Sequence, residues 1–444
     1  MRRIVNGVLA GVVVTALGAC GSSGDGADKP GAGGAPSASG QASGSPGTVP
    51  RAAREKVPPA FDGGRGWAVM QSEGLTRPTV APHSKLVLFL KTYEGGAAFG
   101  VEARDGATGA VRWSSAPWKP AERAAEISAD DVRLAVAAKA GKDYVVLAAA
   151  VAEGRDAVNR GKEIANVAVF PADSSGADVE PTHRLKVPDG GSVSPHDTNG
   201  TVAFGTDTGI TTVDVTTGKV GARLDSGNPE YQLRVTGYRY GTFRIDEAWP
   251  AKNVVPDGAK AESGSGGGEA HGVRGGYVAA LWPAKNEAFD SLGLSMNHVW
   301  ALHDERTGKP VYSFTCDGLT DGGKVGTENR AVLSDNGRYL VTGYAAFDLK
   351  AKKGYCFGGT QDTAKVNFMG VDNTGTAYGT AQNPGAGTPV SVDLATGDHA
   401  ELSGVVLPAA VTGDVALYEA TPKHGSSPAA ELAQHAVFSI YPKR

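Results

Sequence analysis

The sequence predicts an all-β chain assembled from small antiparallel sheets, and three observations carry that reading. A five-residue turn, Asp-x-x-Thr-Gly, recurs four times, at residues 105–109, 214–218, 304–308 and 393–397. Beside these turns apolar and polar residues alternate, as in Ile210-Thr211-Thr212-Val213 and Pro389-Val390-Ser391-Val392, which is the period of a strand. Glycine is abundant, at 63 of 444 residues, beside 25 prolines, with neither a collagen repeat nor a long helical pattern.

Each element follows from its turn chemistry. An Asp carboxylate accepts backbone N–H groups across a tight turn, and Gly supplies the positive φ that closes a hairpin without a Cβ clash. A second turn family precedes the first within each repeat: Asp197-Thr198-Asn199-Gly200, Asp335-Asn336-Gly337, Asp372-Asn373-Thr374-Gly375 and Thr412-Gly413-Asp414. Each leads into a strand such as Thr201-Val202-Ala203-Phe204 or Val415-Ala416-Leu417-Tyr418. Two hairpin turns per repeat require at least three sequential antiparallel strands. Worn copies of the first turn stand at Asp173-Ser174-Ser175-Gly176 and at Phe347-Asp348-Leu349 before Gly354.

The four Asp-x-x-Thr-Gly turns are separated by 109, 90 and 89 residues. That is about twice the ~40–50 residues of one four-stranded propeller blade. The predicted fold is a single seven-bladed β-propeller of four-stranded antiparallel blades, near 76–117, 123–188, 191–226, 230–315, 328–360, 364–404 and 405–442. The last blade ends on its third strand, Ala436-Val437-Phe438-Ser439-Ile440-Tyr441. The N-terminal stretch Gly66-Trp67-Ala68-Val69-Met70 is expected to supply the fourth and close the ring, which removes two open sheet edges. Residues 254–275, with a Gly-Ser-rich centre, read as a disordered surface loop interrupting the fourth blade; dividing that stretch gives eight blades as the alternative.

In these turns and the strands behind them, the chain resembles the pyrroloquinoline-quinone-like (PQQ-like) β-propeller repeat family. Repeats of that family pair an apolar strand ending in Asp-x-x-Thr-Gly with a following strand that carries a Trp. Gly109-Ala110-Val111-Arg112-Trp113 keeps the Trp, and Gly308-Lys309-Pro310-Val311-Tyr312 has Tyr instead. The corresponding residues after Gly218 and Gly397 are Ala222 and Glu401. The resemblance spans most of residues 60–444 and is carried by the four turns. Quinone enzymes of this fold use adjacent cysteines and calcium ligands, whereas Cys316 and Cys356 stand 40 residues apart, so no cofactor is expected.

The first 19 residues read as a signal peptide: Arg2 and Arg3, an apolar run from Ile4 to Ala16, then small residues. Leu17-Gly18-Ala19-Cys20 resembles the bacterial lipobox, which implies diacylglycerol transfer to the Cys20 thiol and cleavage before it. Acylation with palmitate-like chains supplies the two-chain burial that anchors stably. Residues 20–58, rich in Gly, Ser, Ala and Pro, read as a flexible tether, and 59–444 as the propeller. The expected address is the extracytoplasmic face of a cell membrane, held by lipid. In that oxidising setting Cys316 and Cys356 are expected to form a disulfide between the outer edges of consecutive blades, two free buried thiols being the alternative.

Chemistry is sparse. Removing residues 1–19 takes away two arginines and moves the formal net charge from −4 to −6, so no nucleic-acid partner is expected. The nine histidines show no metal-ligand spacing, and His298 and His303 on one strand point to opposite faces. Gly318-Leu319-Thr320-Asp321-Gly322-Gly323-Lys324 begins like a phosphate loop but continues with Val325, so it reads as a plain loop. Asp130-Asp131 and Asp304-Glu305 read as structural carboxylates rather than an acid–base pair.

The pentapeptide Trp-Pro-Ala-Lys-Asn occurs twice, from Trp249 and from Trp282. The two indoles either pack between blades or form an exposed binding rim with the 254–275 loop. The functional expectation is a monomeric, non-catalytic binding or scaffold module for an envelope protein or glycan. A polysaccharide-active hydrolase or lyase is the alternative, and a sensor acting through a membrane partner the third reading.

Overall fold

The computed structural model describes residues 49–444 apart from 53–54, 94–95, 97, 121–126, 156–157, 160, 189–191, 198–199, 207–208, 226–244, 246–248, 250–252, 261–267, 287–296, 318–330, 360–362, 383–386, 413 and 420–435. Cys20 and the expected leader, with the loop from Gly318 to Lys324, lie outside the described residues. The chain is all-β, and Thr48–Arg444 forms one compact unit.

Among the described residues there are seven sheets, each built from strands paired antiparallel in chain order. The first comprises Leu75–Ala81, Leu86–Thr92, Phe99–Asp105 and Val111–Ser115, with Gly176–Val179 added in parallel at its edge. The second is Val132–Lys139, Lys142–Glu153, Lys162–Pro171 and His183–Pro188. The third is Ser192–Asp197, Thr201–Thr206, Gly209–Asp214 and Leu224–Asp225. The fourth is Glu269–Arg274, Tyr277–Pro283, Asn297–Asp304 and Pro310–Asp317. The fifth is Val332–Leu333, Tyr339–Thr342, Ala345–Asp348 and Lys353–Cys356. The sixth is Lys365–Val371, Thr376–Gln382, Thr388–Asp393 and His399–Glu401. The seventh takes Ala410–Val411, Val415–Glu419 and Ala436–Pro442 from the C-terminal part and Trp67–Met70 from the N-terminal part. Trp67 pairs with Ile440 and Ala68 with Ser439, which makes the N-terminal strand the outer one of the last sheet.

The four Asp-x-x-Thr-Gly segments all lie between the third and fourth strands of their sheets and share one geometry. Each Gly has a left-handed φ, between 68° and 82°, and donates its N–H to the Asp carbonyl at 2.8 Å. The Asp105 carboxylate accepts the N–H groups of Ala107 and Thr108 at 3.1 and 3.0 Å, and the Thr108 hydroxyl at 2.9 Å. That Thr hydroxyl oxygen in turn accepts the Ala110 N–H at 3.3 Å. The last bond recurs at Thr217, Thr307 and Thr396, so the Thr ties the turn to the strand that leaves it. The worn copy at Asp348 keeps the carboxylate half of the device, accepting from Lys350 and Ala351.

Among the described residues, apolar sheet faces stack at six junctions, and the remaining face of the fourth sheet packs on Ile245, Val254 and Ala259. Phe170, Trp113 and Val145 fill the junction of the first and second sheets, and Val187, Phe204 and Val213 that of the second and third. Trp300, Leu340 and Phe347 join the fourth and fifth sheets, Val341 and Phe368 the fifth and sixth, Tyr378 and Tyr418 the sixth and seventh. Trp67, Leu417 and Ile440 of the seventh sheet meet Val87 and Phe89 of the first. The same junction buries charge: Arg104 bonds Glu102 and Glu73, and Lys91 reaches Glu102 at 3.1 Å.

Two expectations are corrected. Residues 254–275 are not a single surface loop. Val254 and Ala259 are buried in the core of the fourth sheet, and Glu269–Arg274 is that sheet's first strand. Its small residues and a bulge between Ala270 and Gly272 break the alternation that marks a strand in sequence. The packed body also begins earlier than residue 59. Ala52 donates its N–H to the Gly66 carbonyl at 3.0 Å, and Val57 packs on the sixth–seventh junction.

Candidate functional site

Antiparallel pairing in chain order gives every sheet two unlike ends. First-to-second and third-to-fourth connections share one end, and second-to-third and sheet-to-sheet connections share the other. The first end carries the short turns, including 140–141, 275–276 and 305–309. At the second, the long connections 226–268, 284–296, 318–331 and 420–435 begin and end, and the first of them reaches the turn end at Trp249.

The turn end is occupied by bonds between neighbouring sheets. Asp143 accepts the Ser84 N–H and pairs with His83 Nδ1, both at 2.8 Å. Lys139 donates to Asp214 at 2.6 Å, and Asn336 donates its N–H to Asn373 Oδ1 at 2.8 Å. An open cleft of about 290 Å³ lies here at the seventh–first junction, lined by Arg65, Lys85, Asp105, Asp414, Lys443 and Arg444. Three of its cations already have carboxylates, Arg65 with Asp62, Lys85 with Asp414 and Lys443 with Asp372.

The third-to-fourth turns also carry rings from the preceding sheet. Trp67 Nε1 donates to the Gly106 carbonyl and Trp113 Nε1 to the Ala172 carbonyl, both at 2.9 Å. His183 Nε2 lies 3.1 Å from the Thr216 carbonyl, and the Tyr312 hydroxyl accepts the Gly354 N–H at 3.1 Å. Trp249, from the connection leading into the fourth sheet rather than from a sheet, lies so close to Gly308 that a Cβ there would sit 2.3 Å from the indole. Trp67, Trp113, His183 and Tyr312 thus share one inter-sheet role. Only Trp113 and Tyr312 occupy the places at which the repeat pattern looks for a ring.

The indoles proposed as a binding rim do not form one. Trp282 is 1% exposed and donates from Nε1 to His303 Nε2 at 3.1 Å, while His303 Nδ1 bonds the Gly308 carbonyl at 2.9 Å. Burial holds the His303 imidazole down at about 4, opposed by that carbonyl, so it is neutral at neutral pH. Trp249 is half-buried against the same core. The second strand of a sheet packed on both faces has no exposed side, which is why Trp282 is inside. Cys316 and Cys356 are bonded, with Cα atoms 5.3 Å apart, and join the outer strands of the fourth and fifth sheets. Asp131 bonds the N–H and hydroxyl of Ser128, and Asp304 closes its turn on Thr307, so both carboxylates have structural partners.

Sequence reasoning missed one polar group of residues. Toward the loop end, between the fourth and fifth sheets, His271 lies with its ring 5.2 Å from Trp300, and Trp300 meets Tyr344 edge-on at 5.5 Å. Lys365 Nζ stands 5.1 Å over the Tyr344 ring. Burial, then the neighbouring His298, holds the His271 imidazole at about 4, hence neutral. Among the described residues no three His, Cys, Asp or Glu side chains converge as a metal site, and no helix is long and apolar enough to cross a membrane.

No protein-family model matches the chain, and no curated protein matches it. Among solved structures it is similar to the uncharacterized protein lmo1340 from Listeria monocytogenes EGD-e, at 10% identity and a TM-score of 0.35 over 75% of this chain and 83% of that one. The β-propeller domain of the Trilobed protease from Pyrococcus furiosus matches at 9% identity and a TM-score of 0.33, over 74% of this chain and 84% of its own. Porphyromonas gingivalis dipeptidyl peptidase 4 matches at 10% identity and 0.34, with 79% of this chain covering 50% of that one. The functional reading therefore rests on the chain's own sheets.

Proposed function

We propose that the chain is a lipid-anchored, extracytoplasmic binding module: a seven-bladed β-propeller closed by Trp67–Met70 that presents its loop end to a protein or glycan of the cell envelope. The unlike ends of the sheets carry this reading. One end is taken up by turns bonded to one another, while the long connections begin and end at the other, which suits it to recognition. Packing of the last sheet against the first supports a closed ring.

Fractionation of cells expressing the wild type and Cys20→Ala tests the anchor. The wild type is expected in the membrane fraction and the variant outside it; equal distribution would sink the lipid-anchored reading. Residues 49–444, immobilised and challenged with envelope extract, should retain a partner that is lost when the loop 420–435 is replaced by Gly-Ser. Retention unchanged by that replacement and by replacement of the other long loops would sink the loop-end reading.

A further inference from the structure

Among the described residues, three buried polar atoms at the junction of the fourth and fifth sheets have no hydrogen-bond partner: His271 Nε2, Trp300 Nε1 and Thr342 Oγ1. Trp300 and Thr342 are each 0% exposed. Leaving such a group unpaired forfeits the hydrogen bonds it would have made to water, and native interiors rarely tolerate it. Three at one junction is a cluster, not a stray defect.

The register puts them on facing walls. Leu302 and Leu281 belong to the core shared with the fifth sheet, and Trp300 lies on the same side of its strand as Leu302. Leu340 belongs to that core from the other wall, and Thr342, two residues on, shares its side of the strand. His271 joins them through its ring contact with Trp300, and Tyr344 with Lys365 beside it forms the end toward the loops. Among these residues there is one cation and no carboxylate. The Trp300 indole N–H can only donate, so its missing partner is an acceptor. The disulfide between Cys316 and Cys356 ties the outer strands of the same two sheets, which holds the walls at a fixed separation.

We propose that this junction is a binding site for a small carboxylate, whose oxygens accept from Trp300 Nε1 and Thr342 Oγ1, with His271 at its flank and Lys365 supplying the nearby positive charge. The proposal rests on the loop end being the recognition face, and names the ligand chemistry taken up there. A carboxylate suits the site because it is acceptor-only when ionised and satisfies two donors at once.

The test uses the full chain with 15N-labelled tryptophan, the Trp300 indole signal being assigned by its absence from Trp300→Phe. Sodium acetate is the probe, with sodium chloride at equal ionic strength as the control. Acetate should shift the Trp300 indole proton downfield in a saturable titration and raise the thermal midpoint. Thr342→Val should weaken that titration ~10-fold, the loss of one charge-assisted hydrogen bond. An indole signal that acetate leaves unmoved up to about 100 mM, which is the result if water alone fills the site, would overturn the proposal. So would a Thr342→Val titration identical to that of the wild type, and the wild-type arm needs no variant to fold. Failed acetate binding with envelope capture intact sinks this site alone; lost capture with acetate binding intact sinks the recognition face.

Discussion

Asp214 shows how much one carboxylate of the repeated turn holds together. It accepts the N–H groups of Thr216 and Thr217 at 2.9 and 3.0 Å and pairs with Lys139 of the preceding sheet at 2.6 Å. The Lys139 ammonium, then the Thr216 hydroxyl, hold its carboxyl well below the usual range. A carboxylate depressed in the folded state contributes stability above its unfolded value, near pH 4, and loses it as pH falls below that. Asp214→Asn should therefore cost about 1–3 kcal/mol at pH 7, mostly through the backbone bonds because the ammonium is partly solvated. The gap between variant and wild type should close as pH is lowered from about 4 toward 2. Urea midpoints across that range measure it, and a constant gap would contradict the assignment. Asp and Gly of the turn are legible in the sequence because turn chemistry is local. The second task of the Thr is not, since its hydroxyl acts on a residue outside the motif.

At the scale of elements, the seventh–first junction buries a network of four charged side chains. Arg104, Glu102, Glu73 and Lys91 neutralise one another, and the Arg104 guanidinium stands 5.9 Å from both the Trp67 and Phe89 rings. Removing one partner leaves uncompensated buried charge. Arg104→Met should destabilise by about 3–5 kcal/mol, and the triple change with Glu102→Leu and Glu73→Leu should recover most of it. Thermal midpoints of the two variants decide it; a mild effect of the single change would mean that water reaches the carboxylates. Glu102 and Arg104 share one face of one strand and Lys91 lies on its hairpin partner, so their pairing is local; what the sequence does not announce is that the seventh sheet covers them. The twin Trp-Pro-Ala-Lys-Asn segments make the same point. Trp282 lies inside a sheet under His303, and Trp249 leans on the turn at Gly308.

For the molecule as a whole, the strand contributed by Trp67–Met70 covers what would otherwise be the open edge of Ala436–Pro442. Deleting residues 67–70 should leave that edge free to pair with another chain. Light scattering after size exclusion is expected to show a monomeric parent and a self-associating deletion variant. A deletion variant that stays monomeric and as stable as its parent would mean that the strand is an appendage. The sheet limits predicted from turn spacing lie close to those found, except in the fourth, where the first strand hides in a Gly-rich stretch. Repeat spacing is readable because each sheet is made of neighbours in sequence.

The sequence by itself determined the all-β character, the positions of the hairpins and the use of the front strand to finish the last sheet. The first two follow from backbone sterics and period-2 patterning, which act over a few residues, and the third from the last repeat being one strand short. Tertiary structure alone decided which rings rest on which turns, where charge is buried and which polar atoms meet between the fourth and fifth sheets. Those depend on side chains from separate sheets sharing one low-dielectric junction, and contacts of that kind leave no local pattern to read.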